Sequence, residues 1–372
     1  MPPESFRLRP SRLYKATGMW YIVWVINTTG CVQELTKGRI RMNRSVVRWI
    51  LVALMALALT LSLSCPYLAY ADGAALPLDY LEGGKAPKED GWVYDGKKPV
   101  SYEDSTIQVT FETEDITHNL SAGKYSGKKV KDETWVVRIK IQDVSQLRTA
   151  ASSDSYKGRG QEDSVEMAMA KKAVVAMNGD FFKYEYDVGY VVRQGELIRD
   201  LTGNSRGRIF DMLIIDSAGD FHVVYSATTE KIDAYVAENL TPNGLTVLDT
   251  FNIGPVLVLN GEVQDVSQSE MAHQGLYQWR SPIQRIAIVQ TGPLEYAIVE
   301  TGGKGQESSG FTMQEFAEFV AEKCPGAIMA YNLDGGGSAS LIAPIKGKYK
   351  MICANPGHRP ITDILYFASA ED

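Results

Sequence analysis

Histidine and cysteine are scarce in this chain. The four histidines, His118, His222, His273 and His358, are scattered over 372 residues, and the four cysteines follow no zinc spacing, which argues against a zinc enzyme. Two of the cysteines, Cys31 and Cys65, fall in a segment read below as removable. That leaves Cys324 and Cys353, as one disulfide or as two buried thiols. Proline is also sparing, at 15 residues, and with 45% hydrophobic and 22% charged residues the composition is that of a globular chain and excludes disorder. Basic residues are outnumbered by acidic ones, 38 to 45, so a nucleic-acid or anionic-membrane partner is not expected.

One uncharged, Leu-rich run stands out, residues 49–64 (WILVALMALALTLSLS). It follows the basic positions Arg39, Arg41, Arg44 and Arg48 and precedes Ala69-Tyr70-Ala71, a small-x-small site before Asp72. This is the pattern of a secretory signal cleaved after Ala71, with an uncleaved signal anchor as the alternative because the run is near the lower limit for a span. Cys65 as a lipoprotein site is disfavoured, since the residues before it lack Leu at the required place. The 41 residues ahead of Met42 are long for a signal's basic region and point to Met42 as a second candidate start. Residues 1–49 hold nine Lys/Arg and two acids, so removing residues 1–71 takes the formal charge from -7 to -14. A secreted or cell-surface protein is expected, touching a membrane only through its N-terminal segment.

The organisation reads as a signal or anchor over 1–71, a Gly-, Pro- and charge-rich lead-in over 72–105, and one globular domain over 106–372. Strand patterns occupy 105–111, 134–141, 190–198, 209–216, 221–225, 255–263, 284–290 and 295–300. Turn-like Ser217-Ala218-Gly219-Asp220, Asn260-Gly261 and Thr291-Gly292-Pro293 join several of them, which predicts antiparallel neighbours. Two helices are legible. In FTMQEFAEFVAEKCPG, Thr312 and Glu315 form a capping box, Phe311 and Phe316 a staple, and Met313, Phe316, Ala317, Val320 and Cys324 share a face. SVEMAMAKKA (164–173) is the other. The expected fold class is α+β: a large, mainly antiparallel or mixed sheet covered by a few helices.

Both helices have the same sequel. AVVAMNGDFF (173–182) and AIMAYNLDGGGSAS (327–340) each run from a helix into a short apolar strand, then to an Asn with an Asp two residues on. Alone, each cluster reads as a turn bonded to its own backbone; together they predict Asn178, Asp180, Asn332 and Asp334 converging at one rim of the sheet. Gly335, Gly336 and Gly337 lack Cβ atoms and would let successive N–H groups face an anion, with Ser338 adding a hydroxyl. A tight strand connection is the plainer alternative. The loop fits neither the dinucleotide nor the P-loop template, which argues against nucleotide-triphosphate chemistry.

Asn178-Gly179-Asp180-Phe181-Phe182, Gly254-Pro255 with LVLNGE, Arg285 in QRIAIVQTG, and the stretch ending in NLDGGGSASL together resemble the phosphodiester glycosidase family over about residues 130 to 369. That family includes an enzyme that removes N-acetylglucosamine from a phosphodiester, and exported bacterial proteins associated with exopolysaccharide. The resemblance implies hydrolysis of a sugar-1-phosphate diester. Two positions depart from it: relatives commonly read Arg-Thr-Ala where this chain has Arg285-Ile286-Ala287, and Asp180 replaces a second Gly of the first motif.

Cleaving C1–O of a sugar phosphate builds oxocarbenium character at C1, which a carboxylate stabilises or attacks, while a cation holds the departing phosphate. On the resemblance, Asp334 is the leading carboxylate with Asp180 as its partner, and Arg285 grips phosphate, an ion pair within a strand being its alternative role. Asn178, Gly179, Asn332, the Gly335, Gly336 and Gly337 amides, Ser338 and Arg359 would bind substrate, with Asp363 a further member of the closing motif GHRPITDILYF. No cofactor is implied with certainty, and a divalent cation held by Asp180 and Asp334 would instead describe a metal-dependent phosphodiesterase. A sugar-phosphate-binding protein without turnover is the other alternative.

Overall fold

Alternation of apolar and polar side chains drives the longest strand pairing among the described residues. Lys129–Ile141 lies antiparallel to Ile107–Asn119 along all 13 residues of each strand, from Ile107 opposite Ile141 to Asn119 opposite Lys129. Trp135, Val137, Ile139 and Ile141 point into one core, whereas Val136 joins another on the opposite face.

The computed structural model describes residues 75–119, 127–156, 160–180, 189–200, 209–252, 254–273, 275, 277–303 and 310–372, together with two short N-terminal strands. The chain divides into two compact units, Met1–Ala69 and Tyr70–Asp372. In the first, Pro10–Ala16 pairs antiparallel with Met19–Trp24. The apolar run 49–64 and the expected cleavage site lie outside the described residues. Among the described residues no helix is long and apolar enough to cross a membrane.

In the second unit a nine-stranded sheet runs in the spatial order Glu262–Val263, Val256–Leu259, Met329–Asn332, Arg285–Gly292, Glu295–Gly303, Lys129–Ile141, Ile107–Asn119, Lys98–Glu103, Trp92–Asp95. A five-stranded sheet follows the order Lys348–Met351, Leu341–Ile345, Ala173–Asn178, Asp363–Ala368, Leu147–Ala151. Every neighbouring pair in both is antiparallel. Smaller antiparallel groups are Phe221–Val224, Met212–Asp216 and Val247–Asn252, and the hairpin of Tyr190–Arg193 with Glu196–Asp200. The fold is α+β with few helices, as its residue pattern predicts.

Alternate residues sort the layers. Ile288, Ile298 and Tyr331 of the large sheet share a core with Val175, Met177, Leu365 and Phe367 of the smaller one. Ala287, Val289, Val299 and Ala330, on the other face, meet Met313, Phe316, Ala317 and Val320 of the helix Met313–Lys323. The outer face of the five-stranded sheet is likewise covered by the helix Ser164–Ala170, whose Met167 and Ala168 pack with Ala173, Ala176 and Tyr366. The order is therefore helix, sheet, sheet, helix. The longer helix starts at the expected capping box: Thr312 N–H donates to the Glu315 carboxylate at 2.8 Å while its hydroxyl accepts from Glu315 N–H at 3.4 Å.

One sequence expectation changes, and one left open between two alternatives is decided. Residues 72–105 are not merely a lead-in, because Gly96, at φ +60°, turns the chain so that Trp92–Asp95 and Lys98–Glu103 become the edge of the nine-stranded sheet. The preceding part is fastened by Arg148, which donates to the carbonyls of Pro77, Asp79 and Glu82 at 2.8, 2.9 and 3.1 Å. The cysteines are two free buried thiols, since Cys324 belongs to the helix-covered core and Cys353 to the core between the sheets.

Candidate active site

The two Asn/Asp motifs do converge, but from different sheets rather than along one rim. Ala173–Asn178 sits inside the five-stranded sheet and Met329–Asn332 inside the nine-stranded one, each fully flanked by its own neighbours, so only the loops beyond the strand ends meet. Asn178 joins them. Its Nδ2 donates to the carbonyls of Asp334 at 2.7 Å and Gly179 at 3.0 Å, and its Oδ1 accepts from Ser340 N–H at 3.0 Å. A carboxamide so engaged with backbone holds the loops together, a role different from the expected orientation of sugar hydroxyls.

Asp334 lies in a shallow open cleft, lined also by Asn178, Gly179, Asp180, Ser338, Arg359 and Thr362. Its Oδ2 is 3.7 Å from Nη2 of Arg359. The Arg359 Nε and Nη2 donate to the Ser338 Oγ at 3.2 and 3.0 Å, and Ser338 in turn supports the Asp334 carboxylate together with the Gly335 N–H. Burial pushes Asp334 up to about 6; Ser338, Arg359 and the Gly335 amide oppose the rise, and the charge of Asp180 adds to it. The Asp334 side chain is 15% exposed and that of Arg359 56%, so the carboxylate forms the wall and the guanidinium reaches solvent.

The triple glycine answers to packing more than to anion binding. A Cβ on Gly335 would stand 2.7 Å from the Gln284 carbonyl oxygen, one on Gly337 2.6 Å from that of Gly357, and Gly336 has φ +59°. The Gly336 N–H donates to Gln284 O at 2.9 Å and the Gly335 N–H serves Asp334, so neither faces an open anion site as expected. The loop is a 3-10 turn, Gly336–Ser338, that delivers Ser338 to the carboxylate.

Asp180, expected as the second carboxylate of the site, lines the same cleft and is itself buried. Its Oδ1 is 3.4 Å from Nη2 of Arg193, its Oδ2 accepts from Asn252 N–H at 2.8 Å, and its carbonyl accepts from the Thr362 hydroxyl at 3.1 Å. The same Arg193 Nη2 is 2.9 Å from Asp363 Oδ2. Sequence reasoning missed Arg193; the signal was an arginine set directly behind the apolar run Tyr190-Val191-Val192. A carboxylate facing a guanidinium and an amide is a poor ligand for a cation. Among the described residues no three His, Cys, Asp or Glu side chains group to hold a metal ion.

Arg285, expected to clamp phosphate, heads its strand beside the Asp334 loop, whose Leu333 and Gly336 N–H groups donate to Ile286 O and Gln284 O at 3.0 and 2.9 Å. Its Nε donates to Phe311 O at 3.0 Å and its Nη2 to Ser281 O at 2.8 Å. Burial pushes it down to about 9, while the charges of Asp334 and Glu315 draw it back up, so it sits within electrostatic range of Asp334 without lining the cleft. Asn332 also serves the backbone, donating from Nδ2 to Gly254 O at 2.8 Å and from its N–H to Pro255 O at 3.0 Å.

The family model for phosphodiester glycosidases matches residues 171–368, which contain the whole Asn178, Asp334, Ser338 and Arg359 arrangement. Among solved structures, the catalytic domain of zebrafish N-acetylglucosamine-1-phosphodiester alpha-N-acetylglucosaminidase, auto-inhibited by its pro-peptide, is similar with a TM-score of 0.51 at 16% identity, covering 71% of this chain and 88% of that one. A hypothetical protein from Synechocystis is similar with a TM-score of 0.42 at 13% identity, covering 73% of this chain and 76% of its own. At 16% identity the likeness to the zebrafish domain is one of fold. No curated protein matches the sequence.

Proposed function

The chain belongs to the phosphodiester glycosidase family, and from that premise we propose that it hydrolyses a sugar-1-phosphate diester at the C1–O bond, as an exported enzyme acting on a surface or environmental glycan. The observation that carries this reading is the pairing of a cleft carboxylate, Asp334, with a solvent-reaching guanidinium, Arg359, through one hydroxyl, Ser338. Opposite charges so placed suit the two ends of the reaction. Positive charge develops at C1 as the bond to oxygen lengthens, and Asp334 stabilises it or attacks; the phosphate monoester leaves with the bonding electrons toward Arg359. Water supplies the oxygen that ends on C1, and its proton goes to solvent or to the departing phosphate. Such a leaving group is weakly basic, so no strong general acid is required.

Asp180, on the wall of the cleft, and Arg285, beside it, take supporting parts in this reading. The zebrafish relative's name supplies the first probe, an α-N-acetylglucosamine-1-phosphate methyl diester. Phosphorus NMR of the protein with this diester in oxygen-18 water, beside Asp334→Asn, tests the proposal. Unlabelled methyl phosphate, lost with the substitution, is the expected result. Labelled phosphate would mean P–O cleavage and a phosphodiesterase, and binding without turnover would mean a sugar-phosphate-binding protein; either result overturns the reading for this substrate.

A further inference from the structure

Arg193 comes from neither large sheet, yet it lies beneath the cleft. It ends the short strand Tyr190–Arg193, is wholly buried, and packs its guanidinium carbon 4.5 Å from the centre of the Phe251 ring. Its Nη1 donates to the carbonyls of Val192 and Thr250, which fixes the plane of the group, and its Nη2 is turned toward Asp180 and Asp363 at 3.4 and 2.9 Å. Asp180 lies in the loop that follows Ala173–Asn178, and Asp363 heads the strand Asp363–Ala368 directly after the loop that carries Arg359.

We infer that Arg193 is a positioning residue of the site, holding the Asp180 and Asp363 carboxylates together so that the loop with Gly179 and the loop with Arg359 are fixed on either side of Asp334.

Two adjacent buried carboxylates repel one another strongly and persist as anions only beside a cation. Here the cation is a single nitrogen shared by both. The loops are then tied at several further points: Gly179 N–H donates to Asp363 O at 3.0 Å, and Thr362 Oγ1 donates to Asp180 O at 3.1 Å. Gly179 itself has no room for a side chain, since a Cβ there would overlap the Asp363 carboxylate. Contact this close requires that the carboxylate be held in one place. Without Arg193 the two carboxylates lose the group that holds them together and move apart, which shifts Gly179 relative to Thr362, and with it the wall on which Asp334 and Arg359 are set. The inference rests on the reading of this cleft as a diester hydrolase only for its kinetic consequence; the geometric consequence stands by itself.

The test uses the full chain with Arg193→Met and Arg193→Lys, the methyl diester as probe, and hydrogen exchange measured on the same samples. Arg193→Met is expected to lower kcat/KM about 100-fold, the scale of a misplaced catalytic wall, and Arg193→Lys, which restores the charge, to recover about tenfold of that loss. Exchange in residues 178–180 and 359–363 should quicken at least about tenfold, with the helix Met313–Lys323 unchanged, because only the loops lose their tie. A uniform rise across the protein, or wild-type exchange in both loops, overturns the inference, as does wild-type kcat/KM in Arg193→Met. If the wild-type protein turns over no diester, the functional reading fails while the exchange pattern still decides the role of Arg193. Should Arg193→Met not fold, Asp180→Asn carries the test: quickened exchange confined to the same two loops supports the tie, and wild-type exchange there overturns it.

Discussion

Asp334 and Arg359 face each other at 3.7 Å with the Ser338 hydroxyl in contact with both, although one side chain is nearly buried and the other more than half exposed. The pair therefore divides its work by depth. Arg359, free to meet a ligand from solvent, should act mainly in binding.

Arg359→Ala is expected to raise KM for the diester about 10- to 100-fold, the worth of a charged hydrogen bond of roughly 1.5–3 kcal/mol. The fold should be unaffected, since the guanidinium is half in water. Steady-state kinetics beside a thermal melt checks this, and an unchanged KM with a large loss of kcat would move phosphate binding elsewhere, with Arg285 the next candidate.

The rate should follow the charge of Asp334. Burial holds it at about 6, and only the ionised form stabilises developing positive charge, so kcat/KM is expected to rise with pH through about 6 and then level. A rate that falls through the same range would make Asp334 a proton donor instead. Ser338→Ala, by removing a hydrogen bond to the ionised form, should carry the midpoint higher.

Part of this site was legible in the residues and part was not. The capping box at Thr312 and Glu315, the Asn260-Gly261 hairpin and the two Asn-x-Asp strand ends are local signals, set by backbone chemistry within a few residues. Local signals survive folding. That Ala173–Asn178 and Met329–Asn332 lie in separate sheets depends on pairings with Asp363–Ala368 and Arg285–Gly292, remote in sequence and with nothing in either strand to name the partner. Both apolar strands look alike because both are buried on two faces. Arg193 was hidden for a related reason: a buried arginine reads as a surface charge until its carboxylates are found, and these come from positions 13 and 170 residues away. The edge strands at Trp92–Asp95 and Lys98–Glu103 were masked by their Gly- and Lys-rich surroundings.

A second acid titrates with the fold. Glu300 is wholly buried opposite Trp135 in the inner core, and burial holds it well above the usual carboxylate range, with the Cys353 thiol opposing only in part. Its folded value lies above its unfolded one, so its contribution is fully present at low pH and is lost as pH rises. While only the folded state keeps the proton, each pH unit lowers stability by about 1.4 kcal/mol. Urea unfolding of Glu300→Gln between about pH 6 and pH 8 should show that decline removed relative to wild type. Parallel curves for the two proteins would place the proton elsewhere.

The strap that Asn178 makes to the Asp334 loop crosses from one sheet to the other. Neither sheet alone possesses a cleft. During refolding, strand pairing within each sheet can be complete while the sheets are still undocked, and such a species would carry native backbone signals and no capacity to hold a diester. Recovery of catalysis then reports a later event than recovery of secondary structure, and the interval between them measures how long the two halves of the sandwich take to find each other.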